Sequence, residues 1–393
     1  MNSHISYKKI ISKWALLYCT LQFLKNTNSA TIQINPQVLD SCTSLKSSMS
    51  EDIFCKLNGK IVSCNEPRQN TTAIVRCKDY YVPRSYSPFY RCQNGSWNRQ
   101  FVHCVPECGI KNIDISSTND NSEALYEFPW VVAIYNATND LICSGTIISK
   151  YHILTAAHCF TNLAGEAKNK EDYTIIAGKN YRDINIKEES YQIRKIQKFF
   201  IHENYGGDFK NFRDDIAVVK LKMEFVISKK VRPACIDWNN TYEGFDFLDG
   251  TNGTVTGWGY TEAGATQSNI LKRIIVPYRS RYICLQSLPL DFGQEYFGPD
   301  KICAGYRNNN NNICKGDSGG GLYFLSDNKH YYIRGIHQHA CLIYRQFRDQ
   351  MYKDKLLIMT LKPQIKRFLS ITIPCISTFK TFWSHTCTNP KEN

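Results

Sequence analysis

The run Cys314-Lys315-Gly316-Asp317-Ser318-Gly319-Gly320-Gly321 constrains the fold most, because it places a serine among residues that give the backbone unusual freedom. A serine hydroxyl is a weak nucleophile, so a catalytic Ser318 requires a histidine to take its proton and a buried carboxylate to orient that histidine. Upstream, His158 follows a Thr-Ala-Ala triplet, and Asp215 precedes the apolar run 216–221. A fold that uses all three must bring distant parts of the chain together. Taken alone, the serine run could be an ordinary turn and the histidine a structural residue.

Three further motifs accompany these residues along the chain, namely Phe128-Pro129-Trp130, Thr256-Gly257-Trp258-Gly259 and Ile302-Cys303-Ala304-Gly305. With the order His, Asp, Ser, they make the sequence resemble the chymotrypsin-like serine proteases. The resemblance implies an all-β fold of two β-barrels with a C-terminal helix.

Short apolar runs separated by turn signals support this all-β fold. They predict strands over 130–135, 145–148, 153–156, 173–178, 216–221, 253–258 and 331–336. Near the end, Pro363 opens a segment with Ile365, Phe368 and Leu369 at helical spacing, which predicts the terminal helix.

Residues 1–30 read as a secretory signal, since three lysines precede a short apolar run and the small pair Ser29-Ala30. That run is shorter than the roughly 20 residues of a membrane-spanning helix. Of 17 cysteines, only Cys19 lies in this segment, which leaves an even number for disulfides. A secreted, extracellular protein is therefore expected, with possible glycans at Asn70, Asn94, Asn136, Asn239 and Asn252.

The net charge of +13 is spread along the whole chain with no dense basic run. We interpret it as a solvated basic surface, and we expect neither a nucleic-acid partner nor a membrane partner.

Residues 42–104 hold six cysteines and few aliphatic residues, so this module depends on disulfides. Its second half resembles a complement-control (sushi) module, with Gly95-Ser96-Trp97 before the last cysteine. Its front half is closer to a six-cysteine variant found in arthropod modular serine proteases. We expect it to bind another protein, although it could be a mere spacer. The predicted order continues with a linker over 105–114, the protease domain over 115–372 and a tail over 373–393.

The family resemblance implies a disulfide between Cys108 and Cys235, which would keep the front module attached after cleavage. We expect three further disulfides within the protease domain, namely Cys143–Cys159, Cys284–Cys303 and Cys314–Cys341, and three within the front module. Pairing Cys375 with Cys387 in the tail then uses every remaining cysteine.

The resemblance also assigns roles. His158 would be the general base, Ser318 the nucleophile and Asp215 the orienting carboxylate, with Asp214 as its rival. Asp215 is preferred because Ile216-Ala217 follow it directly, as in the family's motif. The backbone N–H groups of Gly316 and Ser318 would form the oxyanion hole. Asp317 would pair with a new α-amino group once a zymogen is cut.

The activation segment departs from the family's pattern. A basic residue followed by Ile-Val-Gly-Gly is absent, and the candidate start Ile115 follows Asp114, with Lys111 the one nearby basic site. Our hypothesis is that the chain cuts itself at an unusual bond or is activated without a conventional cut.

The specificity pocket departs as well. Asn312 stands at its expected floor beside Ile313, which argues against a trypsin-like preference for Arg or Lys. The Ser-Trp-Gly triplet expected after Gly335 is missing, and Leu356 to Met359 occupy the place of another expected strand. His337 and His339 alternate there, and we interpret them as loop residues and predict no metal site and no cofactor.

Our first hypothesis is a secreted serine endopeptidase of narrow specificity, a zymogen in an extracellular cascade such as arthropod innate immunity. Its substrate would be a protein, such as another protease zymogen, and an upstream recognition protein would bind the front module. The alternative is a weak or inactive protease homologue that acts as a binding protein or cascade cofactor, or as a venom component. Whether Ser318 can be acylated distinguishes the two.

Overall fold

The structure is a computed structural model that describes residues 41–84, 87–112, 127–189, 191–239, 241–259, 267–288, 290–306, 318–338, 355–361 and 369. Contacts divide the chain into two compact units. Within the described residues, one unit comprises 41–46, Ile53–Ile74 and Phe89–Phe101, and the other comprises Ser47–Asp52, most of Val75–Pro88 and the described residues from Val102 on.

The N-terminal region forms a small five-stranded sheet of order β2-β1-β3-β5-β6. Its strands are β1 (Glu51–Leu57), β2 (Lys60–Val62), β3 (Thr72–Cys77), β5 (Phe89–Gln93) and β6 (Ser96–Trp97). A separate two-stranded pair joins β4 (Tyr81–Val82) to β7 (Val105–Pro106). The region is cross-linked by Cys42–Cys92, Cys55–Cys64 and Cys77–Cys104. Its identity as a sushi-like module with a boundary at residue 104 stays a prediction.

A seven-stranded sheet of order β12-β11-β8-β9-β10-β14-β13 forms the first of two barrels. Its strands are β8 (Val131–Tyr135), β9 (Leu141–Ile147), β10 (His152–Thr155), β11 (Thr174–Ala177), β12 (Gln192–Arg194), β13 (Ile196–Ile201) and β14 (Ala217–Leu221). Every residue of β8 is buried, which explains its unbroken apolar sequence.

The second barrel is a closed sheet of order β15-β16-β17-β20-β19-β18. Its strands are β15 (Asn252–Gly257), β16 (Lys272–Arg279), β17 (Lys301–Tyr306), β18 (Gly321–Leu325), β19 (Tyr331–His337) and β20 (Lys355–Leu361). The short helices of the described residues lie between strands, as 3-10 turns at Ala157–Phe160, Lys170–Asp172 and Gly207–Lys210 and as α-helices at Glu243–Asp246, Arg281–Ser287 and Leu290–Tyr296. No helix in this described part is long and apolar enough to span a membrane.

The two sheets confirm the predicted double β-barrel, and each predicted strand overlaps an observed one. The expected strand around Leu356 to Met359 is β20. One expectation is wrong: His337 is not a loop residue but ends strand β19, where it is 1% exposed. The predicted terminal helix lies outside the described residues except for Leu369, which is helical and buried in the core.

Aromatic residues join the two barrels. Trp130, just before β8, packs against Tyr323 of β18 and Tyr331 of β19, with ring centroids 5.5 and 5.6 Å apart. The hydroxyls of Thr146 and Tyr323 are also 2.7 Å apart. These contacts fix the start of β8 and strand β9 relative to β18 and β19, and the candidate site lies beside β9 and just before β18.

Candidate active site

His158 lies on the 3-10 turn Ala157–Phe160, directly after strand β10. Ala157 and Phe160 are fully buried, and the disulfide Cys143–Cys159 ties the turn to β9. Because its neighbours on both sides are anchored, the His158 side chain is held in one place, with 7% of its surface exposed.

Asp215 lies directly before Ile216 and strand β14, which pairs with β10 so that Ala217 stands opposite Thr155. This register places the Asp215 carboxylate against His158. Its Oδ2 lies 2.7 Å from His158 Nδ1, and its Oδ1 accepts the backbone N–H of His158 at 2.9 Å. Since Nδ1 donates to the carboxylate, Nε2 of a neutral His158 is left as the basic nitrogen. Asp215, rather than Asp214, makes this contact.

The Asp215 carboxylate stays ionised although it is completely buried. Burial raises the pKa of this carboxyl, but the charge of His158, two hydrogen bonds from His158 and the charge of Lys301 together lower the pKa below its usual value. The site is therefore arranged to keep a negative charge behind the imidazole.

Ser318 is 1% exposed, and its carbonyl oxygen accepts the backbone N–H of Ser144 at 2.8 Å. The next residue, Gly319, has φ +80°, and a Cβ there would lie 2.2 Å from Thr155 Oγ1 and 2.5 Å from Ser144 O. Only glycine allows this approach. Ser318 is thereby held against β9 and against Thr155, the last residue of β10, which lies three residues before His158 in the chain.

Several predicted residues lie outside the described residues. They are Gly316 of the oxyanion hole, Asp317 of the activation ion pair, Asn312 and Ile313 of the pocket, and the cysteines of the pairs Cys314–Cys341 and Cys375–Cys387. The structure does contain Cys143–Cys159, Cys284–Cys303 and Cys108–Cys235.

Two clusters of side chains have a geometry compatible with metal ligation, namely Cys108 with Cys235 and His330, and Cys143 with His158 and Cys159. In both, the cysteines are joined in disulfides, so they offer no thiolate to a metal.

Three residues near the site escaped the sequence interpretation. Asp300 and Lys301 form a buried ion pair beneath the segment before Asp215, and the amide of Gln338 reaches the same segment. The only sequence signal was the charged pair itself, placed at the start of an apolar strand.

Comparisons with known proteins agree with this geometry. The sequence profile of the trypsin family matches residues 118–341, more than half of the chain. The chain belongs to the trypsin family of serine proteases. Clotting factor C of Tachypleus tridentatus is 31% identical over 276 residues, which cover 67% of this chain and 26% of that protein. The clotting factor G beta subunit of the same species is 27% identical over 222 residues, covering 55% of this chain and 68% of the relative.

A third relative is the serine proteinase stubble of Drosophila melanogaster, 30% identical over 240 residues that cover 58% of this chain and 29% of that protein. These trypsin-family relatives confirm the predicted resemblance to arthropod modular serine proteases. The matched region spans only about a quarter of clotting factor C.

Proposed function

We propose that the chain is a secreted serine endopeptidase, made as a zymogen, that cleaves a protein substrate in an extracellular cascade. The observation that carries this proposal is the hydrogen-bonded pair of His158 and the fully buried Asp215, with Ser318 held beside the turn that bears His158. Family membership and the clotting-factor relatives support the reaction class and the cascade role.

In the proposed reaction, Ser318 Oγ attacks the carbonyl carbon of a peptide bond while His158 Nε2 takes the hydroxyl proton. The imidazolium then gives this proton to the leaving amine as the peptide C–N bond breaks, which leaves an acyl group on Ser318. Water attacks that ester by the same sequence in reverse, and Ser318 is regenerated. Asp215 stabilises the imidazolium in both halves, and the N–H groups of Gly316 and Ser318 would stabilise the oxyanion.

The environment of Lys111 supports the hypothesis of unconventional activation. Its amine lies 3.0 Å from Glu127, which also pairs with Arg273. The next residue, Asn112, is 7% exposed, and its amide group donates to the Lys229 carbonyl and accepts from Arg232. A protease needs several residues in extended conformation around the bond it cuts, whereas the side chains on both sides of this bond are held by Glu127, Lys229 and Arg232. Activation therefore proceeds without a cut after Lys111.

Our proposal for substrate preference and partners extends the sequence interpretation. With Asn312 at the pocket floor, the substrate residue before the cut is not basic. The protein substrate is another protease zymogen, and the N-terminal module binds an upstream recognition protein, as part of a response such as innate immunity.

The test is labelling of the secreted protein with a fluorophosphonate probe, before and after incubation at high concentration. The control is Ser318→Ala, which removes one buried oxygen and leaves the fold intact. Labelling of the wild type that disappears in the control supports the enzyme, and the new N-terminus of any processed fragment identifies the activation bond. A folded wild type that never labels, whatever its processing, contradicts the proposal and favours the binding-protein alternative.

A further inference from the structure

The segment directly before Asp215 has an unusual backbone. Asn211, Phe212 and Asp214 have φ of 53°, 51° and 51°, in the left-handed region that residues with a side chain rarely adopt. Each such residue costs on the order of 1 kcal/mol, so the conformation persists only where the surroundings impose it. Asp215 follows immediately, so the contacts that hold this segment also determine where its carboxylate lies.

Two neighbouring residues from the second barrel hold it. Lys301, the first residue of β17, donates from Nζ to the carbonyl of Phe212 at 2.8 Å. Asp300 accepts the backbone N–H of Asp214 on Oδ2 at 2.9 Å, and the same oxygen forms an ion pair with Lys301. The carbonyl of Phe212 also receives the side-chain amide of Gln338 at 3.1 Å.

The burial of this ion pair calls for an explanation. Both side chains are 2% exposed, and a buried ion pair often stabilises a fold no better than apolar residues of the same size. Apolar residues, however, could not bond the Phe212 carbonyl or the Asp214 N–H. The pair supplies an acceptor to the Asp214 N–H and a charged donor, beside the Gln338 amide, to the Phe212 carbonyl, and polar backbone groups in a buried segment need such partners.

We propose that Asp300 and Lys301 are positioning residues for the proposed catalytic triad, because they fix the 211–214 segment and thereby hold the Asp215 carboxylate on His158. This inference rests on the proposed function for its effect on rate, but the Asp215–His158 geometry can be measured without any reaction. Neither residue touches the reacting atoms.

The charges of the pair also reach the site. Besides His158, Lys301 lowers the pKa of Asp215, and Tyr205 is a further titratable group on which the charge of Asp215 acts. Burial lowers the pKa of Lys301, while Asp300, Asp215 and Asp214 oppose that effect. Removal of Lys301 and removal of Asp300 should therefore change the field at His158 in opposite directions.

The experiment compares Lys301→Met, Asp300→Asn and the double variant with wild type in the full-length protein. The matched control is Lys179→Met, since Lys179 is also a buried lysine that donates to a carbonyl and pairs with a carboxylate. The first measurement is the low-field proton resonance of the His158 Nδ1–Asp215 hydrogen bond, which needs no activity. The second is the rate of fluorophosphonate labelling of Ser318 as a function of pH, and thermal melting verifies folding.

We expect Lys301→Met to shift or broaden the low-field resonance and to slow labelling by up to about 100-fold, the size of loss that follows misplacement of a catalytic group. The pH midpoint of labelling should rise in Lys301→Met, because the imidazolium faces more net negative charge, and it should fall in Asp300→Asn. The double variant should have a midpoint near that of wild type but a reduced rate. Lys179→Met should resemble wild type in resonance, rate and midpoint.

A folded Lys301→Met protein with the wild-type resonance overturns the proposal. So do midpoints that move in the same direction in both single variants, since this would indicate a general loss of structure. If wild type never labels, the proposed function fails, and the resonance alone still decides whether the pair positions Asp215.

Discussion

Two buried lysines of this protein, in different regions, each form an ion pair with a carboxylate and donate to a backbone carbonyl. Lys179 lies in the loop between β11 and β12, and its Nζ donates to the Ile186 carbonyl at 2.7 Å and lies 3.6 Å from Glu188. Lys301 begins β17, donates to the Phe212 carbonyl and pairs with Asp300. In both places the buried ammonium group and its partner carboxylate make hydrogen bonds to backbone groups outside regular secondary structure.

The two lysine–carboxylate pairs differ in their sequence separation from the backbone groups that they bond. Glu188 accepts the backbone N–H groups of Asn180 and Tyr181, which are within 8 residues of it. Asp300 and Lys301 bond groups that are 86 and 89 residues away. The pair Lys179–Glu188 stabilises the loop in which it lies, whereas the pair Lys301–Asp300 joins the second barrel to the segment directly before Asp215. The same interactions are therefore local in one region and hold distant parts of the chain together at the candidate site in the other.

The largest effect that separates the two regions is expected from their carboxylates. Asp215→Asn should reduce the rate of Ser318 acylation by about 10⁴-fold, because an amide cannot hold the productive tautomer of His158 or balance its charge. Glu188→Gln, a change of the same kind in the Lys179 loop, should leave that rate unchanged. Single-turnover labelling of both folded variants measures this. A comparable loss in Glu188→Gln would mean that the Lys179 loop also supports the site.

A smaller effect is expected on stability. Removing one partner of a buried ion pair is strongly destabilising, so Lys301→Met should lower the free energy of unfolding by about 3 kcal/mol. Lys179→Met should cost less, because Glu188 keeps two backbone donors while Asp300 keeps one. Urea denaturation of both variants measures the difference. Partial recovery in the double variant Lys301→Met with Asp300→Asn would attribute the loss to the unpaired carboxylate, and equal losses at both lysines would contradict the donor count.

Much of the fold was predictable from sequence because its signals are local. Strands such as β8 are short apolar runs between turn residues, and each can be recognised within a few positions. Strand β16 was not predicted, since Pro277 interrupts its short apolar run and half-buried basic residues flank that run. His337 was misjudged because the alternating His337 and His339 were interpreted as loop residues, whereas strand β19 continues to His337, which pairs with β20 and is buried.

The candidate site divides in the same way. His158, Asp215 and Ser318 could be proposed because each lies in a short motif with a chemical reason for its residue types. Asp300 and Lys301 could not, since a charged pair at the start of a strand normally predicts an exposed turn. Their partners are carbonyl and N–H groups, which carry no residue identity, and only the folded chain brings them together.

The smallest expected effect concerns stability at alkaline pH. Burial lowers the pKa of both Lys179 and Lys301 below the usual 10.5, although the nearby carboxylates oppose this. Between the folded pKa and 10.5 the unfolded chain binds more protons, so each lysine makes the free energy of unfolding rise with pH, by at most about 1.4 kcal/mol per pH unit. Below the folded pKa the full cost of burying the charge is present.

Each Met variant lacks the rise in stability that its lysine contributes, so its stability relative to wild type should decline as the pH approaches 10.5. Urea denaturation at a series of alkaline pH values measures that difference. The contrary outcome is a stability–pH curve of Lys301→Met that is parallel to that of wild type, beside a Lys179→Met curve that is not. It would mean that Asp300, Asp214 and Asp215 fully offset the effect of burial on the pKa of Lys301. The two lysine–carboxylate pairs would then differ in electrostatics as well as in sequence separation from the groups they bond.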